Sequence, residues 1–173
     1  QVTRETTPPA RVAEVDGPNF WADMNVKVLG YLRTARELAP TMKAQGWGRI
    51  INVSGLGARQ AGSILTSMRN VSVAALTKNL ADQLGPFGIN VTVVHPGLTR
   101  TEATPGVIKW RAETTGRSEA EIEQQMAEAN VVRHFIAAED IAAVVTFLAS
   151  PRSVAITGDA VAAGGGAPRA IYY

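Results

Sequence analysis

Apolar residues along the chain alternate between helical spacing and strand spacing. From about residue 19 to 44 they recur three or four positions apart, which predicts a long helix. "RIINVSG" at 49–55 and "INVTVVH" at 89–95 are short β-branched runs typical of buried strands. Between them, residues 62–84 carry an apolar stripe of helical spacing. Two nearly continuous apolar strands joined by a helix of crossover length predict a parallel sheet covered on both faces.

The second half of the chain predicts more helices and one more strand. The helices fall at about 107–114, 118–130 and 139–149. Ser118 and Glu121 are spaced as a capping box, while Pro40 and Gly46 are expected to disturb the end of the first helix. "ITGDAVAAGGG" near the C-terminus predicts a short strand between glycine turns, and residues 1–16 an irregular lead-in. We expect one α/β domain over residues 1–173.

Composition narrows the classes of partner. The 173 residues carry a net charge of +2 without a basic block, which argues against nucleic acid. There are no cysteines, so disulfides, thiolate metal sites and a cysteine nucleophile are excluded. The longest apolar run, at 141–149, is too short to cross a bilayer. We therefore expect a cytoplasmic protein without a membrane partner that binds a small molecule.

Four separated motifs carry a family resemblance. They are "MKAQGWGRIINVSG", "AALTKNLADQLGPFGINVTVVHPGLTRTE", "DIAAVVTFLASP" and "ITGDAVAAGGG". In this order and spacing, residues 20 to 166 resemble the second half of a short-chain dehydrogenase/reductase. The resemblance implies a Rossmann-type, doubly wound parallel sheet with NAD or NADP as hydride carrier. It also implies a small-molecule carbonyl or alcohol substrate, and a homodimer or homotetramer associating through the two long central helices.

The phosphate-binding half of that family's nucleotide site has no counterpart in this sequence. The family's G-x-x-x-G-x-G turn and the strands around it would lie upstream of Gln1. The helix N-terminus that holds the pyrophosphate is expected there as well. We therefore expect the 173 residues to be part of a longer chain.

The family's catalytic positions are substituted. Counting from "AALTKNLA", Thr66 stands where the family has tyrosine, and Asn70 where it has lysine. Two family serines fall on Ser54 and Gly55, so only the first is retained. On the first long helix, Lys27 stands where the family has asparagine. The resemblance implies that Ser54, Thr66, Asn70 and Lys27 are the residues of the altered catalytic site.

These losses affect proton transfer. A tyrosine whose pKa is lowered by a neighbouring lysine can protonate an alkoxide near neutral pH, whereas a threonine hydroxyl is far less acidic. Thr66 can still orient a substrate or relay a proton. The family places the two side chains at 27 and 70 in one site, so an exchange of lysine and asparagine would keep a cation there. Alternatively, Lys27 reaches toward solvent from a dimer-facing helix.

The exchange gives a geometric hypothesis. Lys27 and Asn70 should lie within one water of each other, and a separation beyond about 8 Å between their side-chain tips would contradict it. Asn25 lies two residues out of frame and should face another side of the helix.

The resemblance also assigns a cofactor turn and a lid. "PGLTRT" matches the family's segment beside the nicotinamide amide, so Pro96, Gly97, Thr99 and Thr101 are candidate cofactor contacts. Residues 102–135 would form a mobile substrate-binding lid, or only an amphipathic helix pair that covers the sheet. His95 has no carboxylate or cysteine at ligand spacing, so no metal site is expected.

Three functions remain open from the sequence. The first is an atypical NAD(P)-dependent oxidoreductase acting on a carbonyl or alcohol. The second is a nucleotide- or partner-binding protein without turnover, which Thr66 and Asn70 favour. The third is an interaction role through a four-helix seam, for which small residues would allow close packing, namely Gly30, Ala35, Ala74 and Ala81.

Overall fold

The computed structural model describes residues 15–171, so the expected lead-in lies almost wholly outside the described residues. The first helical run consists of α1 (Gly17–Met24), a π-helical segment (Asn25–Leu29) and α2 (Gly30–Gln45). It is followed by β1 (Gly48–Val53), α3 (Ile64–Leu84) and β2 (Ile89–Pro96). The second half contains β3 (Thr99–Arg100), α4 (Thr104–Thr115), α5 (Glu119–Ala127), β4 (Ile136–Ala137), α6 (Ala138–Ala149) and β5 (Ala160–Ala163). The helices and main strands predicted within the described residues are present, with bounds shifted by a few residues.

The main sheet has three parallel strands in the order β1-β2-β5. Gly48 pairs with Ile89 at one end of the β1–β2 ladder and Val53 with Val94 at the other. A separate two-stranded parallel pair joins β3 to β4. The predicted parallel sheet in an α/β fold is confirmed, and α3 is the crossover between its first two strands.

Local chemistry defines where the helices begin and end. The Asp16 carboxylate caps α1 by accepting from the Asn19 backbone N–H at 2.7 Å. α2 continues past Pro40 and ends at Gly46, whose φ of 65° is the left-handed conformation that favours glycine. The capping box of Ser118 and Glu121 is present at the start of α5.

The sheet and the long helices share one apolar core. It is formed by buried residues of α3 and β2, namely Ala81, Leu84, Ile89 and Val91, with partly buried residues packed on them. Ala35 and Ala81 are only 3% and 5% exposed, so neither side chain is open to a partner helix. The four-helix seam itself stays a prediction.

α4 and α5 have an apolar core of their own. It consists of Ile108, Ala112, Ile122, Met126 and Phe135. Because these residues mainly bury one another, the helix pair holds its shape through its own contacts.

The outer surfaces of the first helices carry exposed apolar side chains. Val26 and Leu29 lie on the π-helical segment, and Met68 and Val71 on α3. These residues are among the exposed large apolar side chains of the first helical run and α3. Among the helices of residues 15–171, none combines the length and apolar character needed to cross a bilayer.

A buried polar pair ties α3 to β1. Asn52 donates through Nδ2 to Thr77 Oγ1 at 2.9 Å, and Thr77 donates to the Val73 carbonyl at 2.8 Å. Both residues are buried. Thr77→Val is therefore expected to lower the free energy of unfolding by about 1–3 kcal/mol, because Asn52 loses its acceptor without losing its burial.

Chemical denaturation would test this prediction. Thr114→Val is the control, since Thr114 makes the same bond to the carbonyl four residues back but lies exposed on α4. Adding Asn52→Leu to Thr77→Val should recover part of the loss, because both partners are then apolar. Equal destabilisation by Thr77→Val and Thr114→Val would contradict the account.

Candidate functional site

The carboxyl ends of β1 and β2 meet at one edge of the sheet. Ser54, the first residue after β1, donates its backbone N–H to the Val94 carbonyl at 2.8 Å. His95 and Pro96 complete β2 directly beyond that point. The predicted arrangement, with Ser54 and the turn after His95 at one edge of a parallel sheet, is confirmed. Open α/β sheets bind ligands at such an edge.

Lys27 joins three elements at this edge. Its Nζ donates to the Ser54 carbonyl at 3.2 Å and to Asn70 Oδ1 at 3.2 Å. Ser54 Oγ donates to the Asn70 carbonyl at 3.3 Å, which closes a small polar cluster. The predicted proximity of Lys27 and Asn70 is confirmed, and the contact is direct rather than through a water. Lys27 therefore points toward the sheet edge, not away into solvent.

The π-helical segment explains how Lys27 reaches this place. Lys27 is the central residue of the Asn25–Leu29 segment, where the helix is wider than an α-helix. Asn25 faces elsewhere, as predicted, because its Oδ1 accepts from Arg33 Nη2 at 2.9 Å on the exposed side. π-Helical turns are frequent at functional sites.

The start of α3 places Thr66 and Asn70 over the turn that follows β1. Ser63 caps the helix, and Thr66 lies in its first turn, half-buried. Gly57 lies under both side chains, since a Cβ there would stand 3.0 Å from Thr66 Cγ2 and 3.2 Å from Asn70 Nδ2. Gly55 is similarly close, with its hypothetical Cβ 3.3 Å from Asn70 Nδ2. The absence of a side chain at Gly55 and Gly57 therefore leaves space for the Asn70 amide.

Arg69 and Asp23 form an ion pair beside Lys27. Arg69 Nη1 contacts the two Asp23 carboxylate oxygens at 2.8 and 3.0 Å, and Arg69 itself is buried. Burial is the main cause that lowers the pKa of Lys27 from 10.5 to about 8. The positive charge of Arg69 lowers this pKa further, while the Asp23 carboxylate raises it.

His95 lies buried under the same edge. It is 1% exposed, and its Nδ1 has no hydrogen-bond partner among residues 15–171. Burial, together with the charges of Arg59 and Lys27, lowers the pKa of His95 to about 4, so its imidazole is neutral at physiological pH. Within residues 15–171, no three or more His, Cys, Asp or Glu side chains are grouped to hold a metal ion.

The predicted cofactor turn directly follows β2. Gly97 donates its N–H to the Ala163 carbonyl at 3.3 Å, and Thr99 Oγ1 donates to the Gly97 carbonyl at 3.1 Å. The backbone of Gly97 lies against that of Gly164, because a Cβ on Gly97 would stand only 2.8 Å from Gly164 Cα. Thr101 donates its N–H to Thr104 Oγ1 at 2.8 Å, which connects the turn to α4. The turn is thus held from both sides, while its cofactor contacts stay a prediction.

Three parts of the site escaped sequence reasoning. Tyr31 donates to the Val53 carbonyl at 2.7 Å, one helical turn from Lys27. The Asp23–Arg69 pair joins residues 46 positions apart, so local spacing gives no sign of it. The burial of His95 had a usable signal, because it stands in phase with Val91 and Val93 along β2.

Comparison with known proteins decides the family. A family model described as "Enoyl-(Acyl carrier protein) reductase" matches residues 6–167. The short-chain reductase protein NovJ of Streptomyces niveus is 34% identical over 146 residues, covering 84% of this chain and 54% of NovJ. The chain belongs to the short-chain dehydrogenase/reductase family. It spans about half the length of such curated relatives, in agreement with the predicted resemblance to the family's second half.

Solved structures extend the family match to the fold. A short-chain dehydrogenase/reductase family protein aligns with a TM-score of 0.75 at 30% identity, covering 92% of this chain and 62% of that one. YwfH, an NADPH-dependent reductase involved in bacilysin biosynthesis, aligns with a TM-score of 0.85 at 26% identity, covering 95% and 64%. The predicted Rossmann-type fold is confirmed, as is NAD or NADP as the cofactor class of the family.

The described residues fit one end of such a nucleotide. The turn at 96–101 follows β2 at the sheet edge where β1 also ends, and the Thr99 hydroxyl donates to the Gly97 carbonyl within it. The pyrophosphate end has no matching G-x-x-x-G-x-G turn in this sequence. The residues that fit are therefore those expected beside the nicotinamide, where hydride transfer takes place, and not those for the pyrophosphate.

Close packing at Gly97 gives a prediction for the cofactor turn. Gly97→Ala places a Cβ against the Gly164 backbone, so the two segments must separate. We expect a loss of about 1–3 kcal/mol in the free energy of unfolding, as for other overpacked sites. Gly106→Ala is the matched control in α4, where a Cβ meets nothing within 4 Å. It should stabilise the protein by up to about 1 kcal/mol, since alanine favours helix. Equal denaturation midpoints for the two variants would contradict the prediction.

Charge at Asp23 gives a second prediction. Because the Asp23 carboxylate raises the pKa of Lys27, Asp23→Asn should lower that pKa below about 8. Lys27 binds its proton less tightly when folded than when unfolded, so its contribution to stability rises with pH between about 8 and 10.5. Asp23→Asn should extend this window to lower pH.

The pKa of Lys27 can be followed by the pH dependence of its reductive methylation, read by mass spectrometry. Asp82→Asn is the control, because Asp82 pairs with Lys78 at 2.8 Å on the exposed side of α3. An unchanged or raised pKa of Lys27 in Asp23→Asn would rule out the charge account.

Proposed function

We propose that this chain carries the substrate site and the nicotinamide end of an NAD(P)-dependent oxidoreductase that interconverts a carbonyl and an alcohol. Its proton route differs from the family's, because Thr66 and Asn70 replace tyrosine and lysine. The observation that supports this most is the placement of the Lys27 ammonium beside Asn70 and Ser54 at the sheet edge. A protein that had lost all use for this site would have no need to keep a half-buried cation in it.

Each candidate residue has a role that suits its chemistry. Ser54 carries a hydroxyl at the strand end, where it can orient a substrate oxygen. Thr66 can relay a proton but is a poor acid, while Asn70 holds Lys27 through Oδ1. Lys27 stabilises the negative charge that develops on the substrate oxygen. A bound nicotinamide would supply or accept the hydride, with the turn at Pro96, Gly97, Thr99 and Thr101 holding its amide end.

The region at 102–135 is proposed as the cover of the substrate. The apolar cluster shared by α4 and α5 lets this helix pair act as one unit beside the sheet edge. Such a unit can exclude water when a substrate binds. The exposed apolar residues of the first helices, such as Leu29 and Val71, support association into a homodimer or homotetramer. We keep the cytoplasm as the proposed location.

Nucleotide or partner binding without turnover is the second candidate function. The observation that favours it is the chemistry of two residues on α3. Thr66 is too weak an acid to replace the family's tyrosine, and Asn70 has no charge with which to replace its lysine. The two candidates differ in turnover, and the partner-binding form of the second need not bind nucleotide.

Nucleotide titration separates the candidates. The protein that carries this chain is titrated with NADH and NADPH by fluorescence, and then assayed for cofactor oxidation with a panel of ketones and aldehydes. We expect binding with turnover. Binding without turnover supports the second function, and no binding of either nucleotide rules out the oxidoreductase and leaves partner binding alone.

Restoration of the family residues tests the altered-site account. Thr66→Tyr and Asn70→Lys are combined with Lys27→Asn, since Lys27 already lies 3.2 Å from Asn70 and two ammonium groups would repel each other. Compared with Lys27→Asn alone, the triple variant is expected to gain about 10²–10⁴-fold in kcat, the usual worth of a placed acid. The same two changes with Lys109→Asn, on the exposed face of α4, are the control. No gain in a variant that still binds nucleotide would mean that residue identity does not limit the rate.

A further inference from the structure

The Lys27 ammonium has one more proton than its contacts within residues 15–171 use. A protonated lysine carries three N–H groups. Two of them point to the Ser54 carbonyl and to Asn70 Oδ1, each at 3.2 Å. Neither acceptor is charged, and the nearby Asp23 carboxylate is engaged by Arg69. The third N–H is therefore available to an oxygen bound at the sheet edge.

The acidity of Lys27 suits proton donation near neutral pH. With a pKa of about 8, it is mostly protonated at pH 7 and still a far stronger acid than an ordinary lysine. Burial beside Arg69 is what makes it so. The charged and titratable groups around it are Asp23 on its own helical run, Arg69 on α3 and His95 on β2.

Other groups at this edge are poorer donors. Thr66 and Ser54 are aliphatic hydroxyls, which hold their protons tightly. The Tyr31 hydroxyl donates a hydrogen bond to the Val53 carbonyl, and burial raises the pKa of Tyr31. His95 is neutral at physiological pH because its pKa lies near 4.

We propose that Lys27 is the acid of the reaction, in place of the family's tyrosine, whose position on α3 is taken by Thr66. This inference rests on the proposed function. In carbonyl reduction, the carbonyl carbon gains a hydride while the π electron pair of the C=O bond moves to oxygen. The oxygen takes a proton from Lys27 Nζ, so an O–H bond forms as an N–H bond breaks. The N–H electron pair stays on nitrogen, which leaves a neutral amine. Because Lys27 is only part-buried, it regains a proton from solvent; alcohol oxidation runs in reverse.

The first test needs no activity. Reductive methylation of the intact protein is followed across pH by mass spectrometry, with Lys43 and Lys109 as internal references. Lys27 is expected to titrate near 8, well below the ordinary lysine value of 10.5. A value near 10.5, the ordinary value for lysine, would overturn the proposal whatever the enzyme does.

The second test compares Lys27→Arg with Lys27→Met. Arginine keeps the positive charge but does not release its proton, so it preserves electrostatic stabilisation without acid catalysis. We expect both variants to lose about 100-fold or more in kcat for reduction. The unaltered protein should lose rate above about pH 8 as Lys27 deprotonates, whereas Lys27→Arg should keep a low, flat profile. Small primary amines added to Lys27→Ala should restore part of the rate.

Controls separate this proposal from the proposed function. Lys43→Arg, on the exposed surface of α2, should leave rate and pH profile unchanged. Nucleotide affinity measured on each variant shows that it is folded. An unaltered protein that binds nucleotide without turnover overturns both the function and the proton donor. Turnover that keeps its rate and pH profile in Lys27→Arg overturns the proton donor alone and leaves the oxidoreductase standing.

Discussion

The parallel pairing of β1 with β2 is the constraint on which the candidate site depends. Val53 stands beside Val94, so Ser54 follows the first strand next to His95, one residue before the second strand ends. Because α3 crosses from one strand to the other, its first turns must lie above this edge, and they bring Asn70 with them. A slip of one residue would turn every side chain of β1 to the opposite face. The register therefore fixes the chemistry as well as the fold.

Within that frame, the site keeps a lysine, but the lysine comes from a different helix than the family resemblance assigns. The family resemblance assigns a lysine to α3 and an asparagine to the preceding helix, and this chain has the two residue types exchanged across one hydrogen bond. Arg69, next to Asn70, brings a second cation that Asp23 neutralises. Among residues 15–171, the contacts of this cluster thus leave one positive charge, that of Lys27, beside neutral acceptors. The two substitutions depend on each other, because lysine at both positions would place like charges in contact.

Sequence reasoning recovered the features that depend on period and order. The strands, the crossover helix and the capping box at Ser118 follow from local pattern, and the contact of Lys27 with Asn70 follows from the resemblance. It did less well where packing overrides pattern. Ala35 and Ala81 are small residues that suit a seam, but only the packing of α2 and α3 on the sheet reveals that they lie inside.

Other features left little trace in the sequence. Nothing in "NVKVL" distinguishes a π turn from an α turn, since its geometry is set by the contacts of the folded chain. The Asp23–Arg69 pair joins residues that are distant in the chain, and its effect on the pKa of Lys27 depends on burial that only three dimensions supply.

The π-helical segment sets the rotation of α1 relative to α2 about the axis of the first helical run. A turn of this kind accommodates one residue more than an α-helical turn. Removal of one residue there would return the run to regular α geometry and rotate α1 against α2 by about 100°, the angle between successive residues of an α-helix. The ammonium would leave the cleft, although every strand, cap and crossover stayed in place. Loss of a single codon in this helix is thus expected to separate the Lys27 cation from Ser54 and Asn70 while the sheet keeps its pairing.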